Sequence, residues 1–165
     1  MSDSVIHSFI FAPIFRILAA LSTCLLVYLT ILWSGVFACT GFYLRYDTLF
    51  LPLGLGMIFM LLKRLSPQRA FFSVTFLSTT ICGMVLSGIW TEAVSDFSVM
   101  VGLYPHADAL AYLRDAIGLL HGNELSGFSS RRPLSSGFWS VLLFLGGGNI
   151  KFALAAMVFI TSLSL

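Results

Sequence analysis

Residues 17–42 read ILAALSTCLLVYLTILWSGVFACTGF, a mostly apolar run without one charged side chain. A helix needs roughly 20 such residues to cross a hydrocarbon core about 30 Å thick, and this run exceeds that. Arg16 stands at its entry. Tyr43-Leu-Arg-Tyr-Asp47 places aromatic rings and charge at its exit, as interfacial anchors do.

Outward from this run the pattern repeats. Leu49–Leu62 is a second apolar stretch, short for a span, which predicts borrowed interfacial residues or local thinning of the bilayer. Lys63-Arg64-Leu-Ser-Pro-Gln-Arg69 makes a compact basic turn. Phe71–Thr91 follows, interrupted only by Gly83 and Gly88, which membrane helices tolerate. Apolar sequence returns at Leu134–Leu145, pauses at Gly146-Gly-Gly-Asn-Ile-Lys151 and runs on to Leu165. The glycines read as a turn between two antiparallel helices, with one broken helix as the alternative. The expectation is an all-α, polytopic membrane protein. It has about five transmembrane helices, at 17–42, 49–62, 71–91, 134–145 and 150–165, and a polar extracytoplasmic loop at 92–133.

Composition agrees. The chain of 165 residues is 58% hydrophobic and 10% charged, with mean hydropathy +0.97. Soluble domains carry about 25% charged residues, so this composition cannot build a water-facing surface. A net charge of +2 without a Lys/Arg tract excludes a nucleic-acid partner. Cys24, Cys39 and Cys82 sit in apolar runs, odd in number and without metal-ligand spacing, as buried packing residues do. A lipoprotein signal ending at Cys39 is disfavoured by the length of the run before it and by Phe37.

Five spans put Arg16, Lys63, Arg64, Arg69 and Lys151 on one side, and Arg45, Arg114, Arg131 and Arg132 on the other. The count is nearly flat, but Lys63, Arg64 and Arg69 share the tightest loop. The expectation is a bacterial inner-membrane protein with a cytoplasmic N-terminus. The chain ends on Ser162-Leu-Ser-Leu165 without an interfacial anchor, as the N-terminal piece of a longer membrane protein or a truncated frame would.

The loop holds five of the seven carboxylates: Glu92 at its start, then Asp96, Asp108, Asp115 and Glu124. Pro105 to Gly122 predicts a helix, started by Pro and stopped by Gly. Leu110, Leu113, Ile117 and Leu120 form one stripe, with Asp108, Tyr112 and Asp115 nearly opposite. Such a helix lies along a membrane surface, and its polar face is either merely solvated or a site. His106 and Asp108 form a His-x-Asp pair that a divalent metal would accept, with His121 or Glu124 completing it, but the spacing is unspecific. The sequence calls for no cofactor. Arg131 and Arg132 at the mouth of the next run are interfacial anchors or a grip on a lipid phosphate, which the guanidinium fork matches.

Pro105, Asp108, Tyr112, Ala116, Leu119, Gly122 and then Arg132-Pro133-Leu134 resemble the first extracytoplasmic loop of the polytopic C-type glycosyltransferases, the protein-mannosyltransferase and aminoarabinose-transferase-like group. The resemblance covers about Ile89 to Leu165. Two features depart from it: the residue after the loop aspartate is Ala109 where the family often has an acid, and two extra spans precede the family's first. The resemblance implies that Asp108 is the catalytic base, that Arg131 and Arg132 hold the lipid phosphate of a polyprenyl-phosphate sugar, and that Tyr112 and Asp115 support the substrate. The implied partners are the bilayer, a lipid-linked sugar donor and other membrane subunits. The family's many further spans are absent, so the acceptor site and most of the donor site lie outside these residues. The alternative is a non-catalytic membrane partner or transport component of envelope biosynthesis. Against transport, the long spans carry no acid or base.

Overall fold

The computed structural model describes residues 3–46, 54, 57, 58, 60, 62–96 and 99–164. Its elements are α1 (Asp3–Ser34), α2 (Ala38–Tyr46), α3 (Pro67–Thr91), β1 (Val99–Met100), β2 (Tyr104–Pro105), α4 (Asp108–Leu120), a 3-10 turn (Ser129–Arg131), α5 (Pro133–Leu145) and α6 (Ile150–Leu163). The fold is helical, as expected. Among the described residues two segments are long and apolar enough to cross a membrane, Ile14–Ser34 and Arg69–Thr91. Only 17% and 28% of their apolar windows are buried. The core helix of a soluble protein would be mostly covered, whereas these turn Phe15, Leu26 and Phe71 outward.

The run 17–42 is not one helix. α1 stops at Ser34, Gly35 takes φ +63°, and Ala38 N–H donates to the Gly35 carbonyl at 3.0 Å before α2 starts. Glycine enters the left-handed region without a Cβ clash, which ends helices cheaply. Hydropathy reports the solvent along a run, and it is blind to such a corner. α2 then lies tightly on α3. A Cβ on Gly41 would run into the Met84 carbonyl, and one on Gly88 would stand 2.6 Å from the Ala38 carbonyl oxygen. Small residues that let backbones touch are how helices pack without a hydrophobic drive between them.

Two crevices give the direction of the long helices. Residues from Arg16 to Cys24 line one with residues from Pro67 to Thr75, and residues from Leu26 to Phe37 line the next with residues from Phe76 to Met84. α1 and α3 therefore run parallel. α6 runs against both. Lys151 Nζ lies 5.6 Å from the centre of the Trp90 ring, Tyr28 donates its hydroxyl to the Ala155 carbonyl at 2.9 Å, and Ser78 donates to the Ser162 carbonyl at 3.0 Å.

Of the five expected spans, two are long and apolar enough to cross among the described residues. α5 has 13 residues, about 20 Å of helix, and the glycine turn after it delivers Lys151 to the C-terminal end of α3. α5 is shorter than the roughly 20 residues of a span, and Lys151 lies at the opposite end from Arg16 instead of beside it. The reading of a turn between two helices holds: Gly147 and Gly148 have φ +61° and +83°, and the Asn149 side chain accepts the Phe152 N–H at 3.2 Å. Most of the Leu49–Leu62 run lies outside the described residues.

α4 and α5 form a cap whose core is Leu113, Ala116, Trp139, Leu142 and Leu143, closed by Ala153 of α6. The expected helix is present, ending before Gly122 at φ +79°. Its covered face is rotated from the expected stripe. Leu113 and Ala116 are buried, Ile117 and Leu120 are exposed, and Tyr112 packs against the core. The reason is that α5 supplies the cover, so the partner's position sets the buried face as much as the periodicity does.

Candidate functional site

The polar segment begins with Asp96, which sits at the centre of a set of contacts. Arg45 Nη2 donates to its Oδ2 at 2.9 Å, the Tyr46 hydroxyl donates to the same oxygen at 2.6 Å, and Val99 N–H donates to Oδ1 at 3.0 Å. The bond to this carboxylate raises the Tyr46 phenol above its ordinary value. Asp96 thus ties the end of α2 to the start of the hairpin.

The hairpin pairs Val99 with Pro105 and Met100 with Tyr104. Its turn is strained. Among the described residues, the non-glycine positions with positive φ are Ala93 (46°), Val101 (52°) and Ala107 (54°), all between α3 and α4. Each costs on the order of 1–3 kcal/mol, and a β-branched valine is the least suited of them. Contacts around the hairpin hold it. Gly102 N–H donates to the Val94 carbonyl at 2.6 Å, and Gly102 stands where a Cβ would strike the Ile89 carbonyl.

Ala107 is the strained N-cap of α4, and Asp108 opens the first helical turn. Asp108 is exposed and makes no hydrogen bond or ion pair among the described residues. After α4 the chain folds back along it. Ser126 Oγ donates to the Asp115 carboxylate, and the Phe128 ring centre lies 5.3 Å from that of Tyr112. As the chain advances, its contacts on α4 retreat towards the N-terminus. Arg131 and Arg132 follow in that direction, both exposed, with Arg132 as the N-cap of α5 and Pro133 in its first turn. A helix N-terminus flanked by two arginines suits an anion.

The residues singled out in the sequence divide accordingly. Asp108, Arg131 and Arg132 are open to solvent. Tyr112 is half-buried between Phe128 and the cap core, so it is a packing residue. Asp115 is held by Ser126, whose hydroxyl keeps its carboxyl below the usual aspartate range. His121 sits at the far end of α4, with Nδ1 2.8 Å from the Ile117 carbonyl oxygen. Thirteen residues of helix separate it from Asp108, about 20 Å, so the two cannot share a metal. Glu124 lies beyond it, exposed. Among the described residues no three His, Cys, Asp or Glu side chains converge. Sequence reasoning missed Asp96 as a hub, because Arg45 and Asp96 are 51 positions apart. It also missed Ala107, since alanine carries no signal of a left-handed backbone.

No family model, curated protein or solved structure matches this chain.

Proposed function

We propose that the chain is a membrane-embedded unit of a C-type glycosyltransferase, lying in a bacterial inner membrane with the N-terminus cytoplasmic. Asp108 acts as its base. One observation carries the assignment. Of the loop carboxylates, Asp96 and Asp115 are engaged in structural bonds, Glu92 caps the C-terminal end of α3 and Glu124 lies past the end of α4, while Asp108 stands open at the start of its helix. A base must be free to reach its proton. The parallel course of α1 and α3 supports the orientation, because it gathers Arg16 with the basic turn at one end and leaves the polar loop at the other.

In this reading Asp108 takes the proton of an acceptor hydroxyl as its oxygen attacks the anomeric carbon of a polyprenyl-phosphate sugar. The bond from that carbon to the phosphate oxygen breaks, and the lipid phosphate leaves with the electron pair. Arg131 and Arg132 offset its charge. Tyr112 and Asp115 serve by holding the return segment against α4.

The test is sugar transfer from a polyprenyl-phosphate donor by the protein expressed from its complete reading frame in liposomes. Asp108→Asn should lower turnover about 100-fold or more. Arg132→Ala should weaken donor use by about 10-fold to 100-fold, the worth of one charge-assisted contact. Near wild-type transfer by Asp108→Asn would remove the assignment. A wild-type protein that transfers no sugar would leave the non-catalytic envelope partner as the reading.

A further inference from the structure

Away from the loop, at the other end of the bundle, a crevice of about 680 Å³ opens between α1 and α3 and is closed below by Leu163 of α6. That volume falls within the roughly 300–1,000 Å³ of ligand sites. It reaches from Arg16 to Cys24 on one wall and from Pro67 to Thr75 on the other, eight residues or about 12 Å of helix on each side. The walls are apolar. Thr75 turns its hydroxyl back to the Phe71 carbonyl at 3.0 Å, which removes it from the crevice as a polar group.

The mouth has the opposite character. Arg16 is the charged residue of the lining, exposed and without an ion pair among the described residues. Pro67 brings the positive end of α3 to the same place, and the N-cap Ser66 makes no side-chain bond there. Arg69 follows in the first turn of α3. A greasy slot about 12 Å deep, with a cation and a helix N-terminus at its rim, is complementary to a molecule with an apolar tail and an anionic head.

We infer that this crevice holds an acyl chain of an anionic phospholipid, with the lipid phosphate on Arg16. The site is independent of the glycosyltransferase reading, since it shares no residue with the loop. The lipid would fill the gap between two parallel helices that α6 reaches only at Leu163, and so hold their spacing.

Retention of lipid by the purified full chain, measured by native mass spectrometry from bilayers of phosphatidylglycerol or phosphatidylcholine with identical acyl chains, tests this. One phosphatidylglycerol should stay bound per chain, about tenfold favoured over phosphatidylcholine, whose choline cation offsets the charge its phosphate presents to Arg16. Arg16→Gln should abolish that preference while leaving weak binding of both lipids. Ala20→Phe, which fills the crevice, should abolish retention of either. Arg114→Gln, an exposed cation of α4, should behave as wild type. Equal retention of the two lipids, an unchanged preference in Arg16→Gln or unchanged retention in Ala20→Phe would each overturn the proposal. So would a loss in Arg114→Gln equal to that in Arg16→Gln, which would make the effect one of bulk charge. A wild-type chain that retains no lipid, its crevice filled by another segment or a second copy, would overturn it as well.

Discussion

The bundle of α1, α3 and α6 and the cap of α4 and α5 are packed by different means. The cap is sealed by large apolar side chains: Trp139, Leu142 and Leu143 close on Leu113, while Leu134, Val141 and Phe144 of α5 point outward. The bundle also buries large side chains, Tyr28, Leu32 and Leu86 among them, but sets small and polar residues beside them. Inside it, Gly83 faces Tyr28, Ser162 meets Thr79 and Ser78, and Tyr28 bonds to the Ala155 carbonyl. This is the arrangement expected where the surrounding solvent is itself apolar. Burying a leucine then gains little over leaving it in lipid, and close backbone approach and polar bonds decide the packing. The comparison teaches that one chain closes two cores by different means, and that the two meet along α6, at Ala153 and Ala155.

The largest effect that tests this division is expected at Trp139. Its indole is nearly fully buried in the cap, and Trp139→Ala should cost about 3–5 kcal/mol there. Hydrogen exchange should speed up across α4 and α5 while amides of α1 and α3 keep their protection. Equal loss of protection in α1 would show that the two regions unfold as one unit.

Gly41→Ala probes the other regime. The added Cβ meets the Met84 backbone, which cannot swing aside as a side chain does, so about 1–3 kcal/mol should be lost. Thermal stability in detergent would fall, with the loss confined to α2 and α3. A neutral outcome would mean that α2 is not seated on α3 as described.

The smallest effect concerns pH. Asp115 is held below the ordinary aspartate range by Ser126, so its contribution to the return segment is present above that range. The contribution is lost as pH falls through the lowered folded value. Exchange protection of the Ser129 and Ser130 amides should therefore drop only at acid pH, and Ser126→Ala should flatten that dependence. An unchanged acid transition in Ser126→Ala would assign it to another carboxylate.

Much of the fold was legible because local rules set it. A helix between Pro105 and Gly122, found at Asp108–Leu120 with Pro105 in a strand before it, its glycine stop, the turn at Gly146–Gly148 and the Phe71–Thr91 run follow from periodicity, capping and hydropathy. Less of the site was legible. Asp108 was singled out on a resemblance, and what distinguishes it from Asp96 and Asp115 is that those two are already bonded. The partners responsible, Arg45 and Ser126, come from distant or featureless positions.

By itself the sequence determined that the chain is built of strongly apolar helices, since 58% of its residues are hydrophobic and few are charged, and it showed roughly where most of them lie. Only the tertiary structure decided the direction in which the apolar runs lie and where they turn back. The corner at Gly35, the rotation of α4 onto Leu113 and Ala116, and the delivery of Lys151 to Trp90 all depend on helices meeting across long separations. Hydropathy is a sum over neighbours in the chain, whereas direction and cover are set by neighbours in space.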